Sequence, residues 1–103
     1  MNIKANFMFG YDIAAKMFKA LSDETRLRII FMLSGEELCA YKILEAFSIT
    51  QPTLSYHMKI LTESGLVKGR KDGAWMRYTL EKKNLDSLKQ LLETVSGKLP
   101  EKA

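Results

Sequence analysis

Two side chains that ligate metals or act as nucleophiles occur once each in this chain, Cys39 and His57. One thiol cannot form an intramolecular disulfide or a metal cage. A lone cysteine usually packs as a small apolar residue. Cys39 sits in Glu37-Leu38-Cys39-Ala40-Tyr41-Lys42-Ile43. Lys42 is a cation of the kind that favours a reactive thiolate nearby. Such a thiolate would take a soft metal or metalloid, or react with an oxidant or electrophile. His57 has no second imidazole to share a zinc ion with. It is expected as a half-buried ring at the edge of a helix's apolar stripe, bonded to backbone or to a phosphate. No triad, ligand cluster or phosphate-cradling glycine loop is present, so no enzyme is expected.

A second set of residues suits nucleic acid. Residues 50–64, TQPTLSYHMKILTES, form a predicted helix ending at Gly65. Thr50 is its expected cap, and Pro52 is tolerated in its first turn. Leu54, Met58 and Leu61 fall on one buried stripe. Gln51, Thr53, Ser55, Tyr56 and Lys59 lie largely off it, leaving a polar, mostly uncharged face. Gln51 can pair bidentately with adenine in a major groove, and short hydroxyl side chains reach bases or phosphates. The free amides of a helix N-terminus favour a phosphate. Residues 66–80, LVKGRKDGAWMRYTL, follow as two predicted strands around Asp72-Gly73. Lys68, Arg70, Lys71 and Arg77 make this hairpin basic, suiting it to a DNA backbone. Trp75 is expected in the hairpin's core.

These residues must be positioned by the rest of the chain. Phe7 to Leu21 reads as a first helix, apolar on more than one face, which points to a partner chain. Ser22 is expected to cap a second helix, with Leu27, Ile30, Phe31 and Leu33 inward and Ser34-Gly35 at its end. Ala40 to Phe47 fits a short third helix, with Ile43, Leu44 and Phe47 inward. Asn84 is expected to cap a last, leucine-rich helix over 85–96. Met8, Met17, Met32, Met58 and Met76 are expected core fillers.

The 103 residues suit one domain, and 47% hydrophobic with 27% charged residues is a globular balance. The net charge is +4, and residues 41–80 hold six basic against three acidic side chains. A polyanion would therefore dock on the middle of the chain. There is no apolar run of membrane-spanning length and no signal-peptide pattern, so the cytoplasm is the expected compartment and no membrane partner is expected.

Helix, short helix, tight turn, polar helix and basic hairpin is the order of a winged helix-turn-helix. The fold expected is mainly α with a small β-hairpin: one domain over 1–103, with terminal helices 7–21 and 85–96, a reading helix 51–64 and a wing 66–80. The candidate DNA-binding residues are Thr50, Gln51, Thr53, Ser55, Tyr56, His57, Lys59, Lys68, Arg70, Lys71 and Arg77.

The chain also resembles the ArsR/SmtB family of repressors from about Met17 to Leu80. The resemblance is carried by Leu21-Ser22-Asp23-Glu24-Thr25-Arg26-Leu27-Arg28-Ile29, by Ser55 to Leu61 and by Gly65-Leu66-Val67. It implies a homodimer built from the first and last helices, with Phe7, Phe9, Ile13, Met17, Leu88, Leu91, Leu92 and Val95 as interface candidates. It implies a near-palindromic double-stranded operator, repression by promoter occlusion and release by an inducer. Arsenic and heavy-metal members resemble Glu-Leu-Cys-x-Cys-Asp-Leu at the start of the third helix. Here Cys39 matches the first thiolate, but Tyr41 and Lys42 replace the second thiolate and the acid. Cys39 is thus a candidate ligand for a metal or metalloid inducer in an incomplete site; no other cofactor is expected. The family's second site, on the last helix, needs histidine. Here that helix offers Asp86 and Glu93 alone. Two rival readings remain: a winged-helix regulator answering to a redox or small-molecule signal, and a protein-interaction module.

Overall fold

The computed structural model describes residues 10–99. Among them the elements run α1 Tyr11–Leu21, α2 Glu24–Met32, β1 Leu38–Cys39, α3 Ala40–Leu44, α4 Gln51–Glu63, β2 Val67–Asp72, β3 Trp75–Leu80 and α5 Lys82–Gly97. The fold is mainly helical with a three-stranded antiparallel sheet in the order β1-β3-β2. Phe7, Met8 and Phe9 lie outside the described residues.

Ala14, Met17 and Ala20 turn the same face of α1 into the core. Ser22 does not cap α2, as its sequence context suggests. Its hydroxyl donates back to Lys19 O at 2.8 Å and closes α1. Asp23 caps α2 instead, accepting from the Arg26 backbone N–H at 3.0 Å. Asp23 has the extended backbone a cap requires; Ser22 does not. The inward stripe of α2 also differs. Ile29 and Leu33 are buried and Ile30 is half-buried, while Leu27 is exposed and Phe31 is 80% exposed. Apolar residues on both sides of this short helix permit two stripes, and contact with α1 and α4 selects one.

α3 ends at Leu44, three residues short of expectation, and single turns carry the chain on to Phe47. α4 matches its predicted stripe: Leu54, Met58 and Leu61 are all buried. Thr50 caps it, accepting from the Thr53 N–H at 3.3 Å. Gly65 leaves it at φ +86, in the left-handed region open to glycine. The hairpin turn sits one residue later than expected. Asp72 pairs with Trp75, so Gly73 and Ala74 form the loop. Only Gly73 has positive φ (+63), as a II′ turn requires at its first position. Trp75 is exposed beside this turn rather than in a hairpin core.

β1 was not expected. It is two residues long, pairing Leu38 with Tyr78 and Cys39 with Arg77. α5 begins at Lys82 with Glu81 at its cap position, so Asn84 lies inside the helix. The Asn84 amide instead donates to Gly65 O at 2.6 Å, tying α5 to the end of α4. Met17 and Met58 are core residues as expected; Met32 and Met76 are only half-buried.

Candidate nucleic-acid interface

The outer face of α4 carries Gln51, Thr53, Ser55, Tyr56 and Lys59, all exposed, with exposed Thr50 at the cap. The Thr50 hydroxyl also donates to Thr53 Oγ1 at 3.0 Å, which orders the start of this face. No acidic residue occupies the first turn of α4 to repel a phosphate. His57 does not share the face. Its side chain is 12% exposed, with Nδ1 2.9 Å from Arg26 Nη1 and 3.9 Å from Asp23 Oδ2. The backbone N–H of Arg26 holds the Asp23 carboxyl below its ordinary value.

The wing's four cations divide into two pairs. Lys68 and Lys71 are exposed on β2 with no ion pair to a described residue. Arg70 grips Glu37 through Nε at 3.0 Å and Nη2 at 2.7 Å. Arg77 donates to Asp72 Oδ2 at 2.6 Å. These guanidiniums hold both carboxyls below their ordinary values. A bidentate fork of this kind suits phosphate as well as carboxylate. Glu37 escaped the sequence reading because its partner lies 33 residues away, on β2.

Cys39 is half-buried where β1 passes into α3, across the sheet from Arg77. Lys42 pairs with Glu45 at 3.7 Å. Tyr41, at the expected second thiolate position, packs edge-on against Trp75 with centroids 5.6 Å apart. No group of three or more His, Cys, Asp or Glu side chains is gathered to hold a metal among the described residues.

The dimer candidates also separate. Met17 and Leu88 are buried within the protomer core and are not available to a partner. Each sits on the inward side of its helix, where the core claims it first. Leu91 is partly buried against that core. Ile13 on α1 and Leu92 and Val95 on α5 are exposed. Tyr11 and Phe18 are exposed on α1 as well, though neither is among the interface candidates the sequence suggests.

A tri-helical unit with a polar outer helix and a basic β-wing defines a winged helix-turn-helix regulator. Residues 23–68 match the model of the bacterial regulatory proteins of the arsR family. The chain is 43% identical over 87 residues to the arsenical resistance operon repressor of Staphylococcus xylosus, covering 84% of each. It is 33% identical over 81 residues to the transcriptional repressor SdpR of Bacillus subtilis, covering 78% of this chain and 90% of that one. Its backbone matches the homodimeric winged helix-turn-helix DNA-binding domain Mb0332 of Mycobacterium bovis with a TM-score of 0.68 and 28% identity, covering 84% of this chain and 80% of that one. The chain belongs to the ArsR family of transcriptional regulators. No described helix is long and apolar enough to cross a membrane.

Proposed function

We propose that the chain is a homodimeric transcriptional repressor that binds a near-palindromic operator and leaves it when an inducer acts. The observation that carries this reading is the exposed, uncapped-by-acid face of α4, with Gln51, Thr53, Ser55, Tyr56 and Lys59 outward beside a basic wing. Gln51 is the strongest candidate for base readout, and Lys59, Lys68 and Lys71 for phosphate contact. Arg70 and Arg77 join them once released from Glu37 and Asp72. Homology to repressors and to a homodimeric DNA-binding domain supports the assembly. Regulation, rather than catalysis, is the role this proposal assigns.

The inducer reading follows from the donors. A trivalent metalloid needs two or three thiolates. One Cys39 per chain, with Tyr41 at the second position, does not complete that set within a protomer. An arsenic-type site here is incomplete, and release by a thiol-directed oxidant or a small molecule is the second reading. The test is fluorescence anisotropy of the reduced protein on its own upstream DNA with excess competitor, repeated with arsenite, cadmium and zinc. Specific binding supports the repressor. Absent specific binding, together with a monomer in gel filtration, would favour a protein-interaction module. Release by arsenite or cadmium would make Cys39 a working ligand.

A further inference from the structure

Arg26 is the one side chain among the described residues whose hydrogen bonds reach both the end of α1 and the reading helix. Its Nε donates to Ala20 O at 2.7 Å, in the last turn of α1. Its backbone N–H donates to Asp23 at 3.0 Å and fixes the start of α2. Its Nη1 stands 2.9 Å from His57 Nδ1 on α4, 31 residues along the chain. A guanidinium only donates and stays charged. His57 Nδ1 can take this bond only as an acceptor, which requires a ring whose proton is on Nε2.

The apolar stripe of α4 resists separation from the core but is not directional. A charge-assisted hydrogen bond is directional. We propose that Arg26 is a positioning residue for operator reading: through neutral His57 it pins α4 to the end of α1, so the position of α1 and the protonation of His57 both set how α4 meets DNA. This rests on α4 being the helix that reads DNA.

The charges around the ring oppose one another. From α2, Arg26 faces Nδ1 at 2.9 Å and Asp23 at 3.9 Å. On α4, the Tyr56 ring lies tilted with its centroid 5.6 Å away. From α1, Lys16 and Lys19 border a hollow of about 330 Å³ on the far side of Arg26, which Tyr56 and Glu63 also line and His57 does not. β2, which also packs on α4, brings no ion-pair partner to the ring among the described residues. Protonation removes the acceptor and sets a second cation against the guanidinium. Asp23 favours the imidazolium, but it is farther away and already accepts from Arg26. Protonation of the ring therefore loosens the pin and lowers operator affinity.

Because the chain has a single histidine, one imidazole signal is expected in a long-range ¹H–¹⁵N spectrum. At pH 7.5 it should show Nδ1 bare and Nε2 protonated. A ring protonated on Nδ1 would overturn the proposal. This arm does not depend on DNA, so it still decides the pin if specific binding, and with it the repressor reading, fails. On operator DNA, Arg26→Gln should weaken specific binding about tenfold or more and leave the salt slope on non-specific DNA unchanged. A slope lowered by about one unit would make Arg26 a phosphate contact instead. Arg26→Lys, which keeps the charge but not the fork, serves if the glutamine variant does not fold, and should weaken operator binding in the same direction. Wild-type affinity should fall on acidification in step with the change in the imidazole signal. His57→Asn keeps an acceptor and cannot titrate, so that pH dependence should flatten. An acid loss that persists in His57→Asn would overturn the proposal.

Discussion

Glu37 holds Arg70 as a phosphate would, with two parallel hydrogen bonds. Glu37→Gln keeps the shape and removes the charge. Arg70 is then available to DNA, and non-specific affinity should rise with a salt slope steeper by about one unit. Anisotropy across a potassium chloride series measures both; an unchanged slope would leave Arg70 outside the interface. The same pair fixes a pH response. The folded carboxyl of Glu37 titrates below its ordinary value of 4.5, so its contribution is present above that pH and lost as pH falls below it. The acid loss of thermal stability should be smaller in Glu37→Gln. Arg70 is exposed and Glu37 only half-buried, so solvent screens the pair and the effect is modest. Tyr41→Cys tests the incomplete thiol site. It should create or strengthen release by arsenite in the anisotropy assay, and an unaltered response would mean that a second thiol at this position does not complete a metalloid site. At this scale the residue types on α4 were legible in sequence, because helical spacing alone sends Gln51 and Ser55 outward. The partners of His57 and Arg70 were not, because each bond joins residues more than thirty positions apart.

Local chemistry fixed α4 more firmly than any other element. A capping threonine, an early proline, a stripe at Leu54, Met58 and Leu61 and a terminal glycine all agree on its phase. Thr50→Ala should cost about 0.5–2 kcal/mol, read by urea unfolding, and should weaken operator binding by loosening the start of the reading face. A stability change with operator affinity intact would separate the cap from recognition. Elsewhere the same signals were ambiguous. Ser22 and Asp23 are both capping residues, and backbone geometry chose Asp23. Asp72-Gly73 marked the wing's turn, but pairing of Asp72 with Trp75 moved the loop by one residue. β1 is too short to show alternation, and it exists because β3 offers it an edge. That places Leu38 and Cys39 in the wing's own sheet, with Glu37 just before them. A chemical change at Cys39 thus acts on the strand opposite Arg77, next to the surface proposed to meet DNA.

At the scale of the whole molecule, the two terminal helices each serve the core on one side and solvent on the other. Met17 and Leu88 close the protomer, while Ile13, Leu92 and Val95 remain outside. The sequence could flag the excess of apolar residues but not divide them, since that division depends on which face the other helices cover. Leu92 and Val95 lie three residues apart on α5, so they share a face. Introducing charge at both, as Leu92→Glu with Val95→Glu, should leave the buried core intact and disfavour a partner there. Circular dichroism should be unchanged, and sedimentation should report a monomer at concentrations where the wild type dimerises. Operator affinity should then fall steeply, because one reading helix covers one half-site and a palindrome needs two, held about 34–36 Å apart. Binding to a single half-site should fall far less, since those contacts come from one protomer. A variant that stays dimeric would move the interface off this face of α5. A monomer that still bound the full operator as tightly as the wild type would show that the two reading helices do not act together, and would remove the geometric basis for release by an inducer.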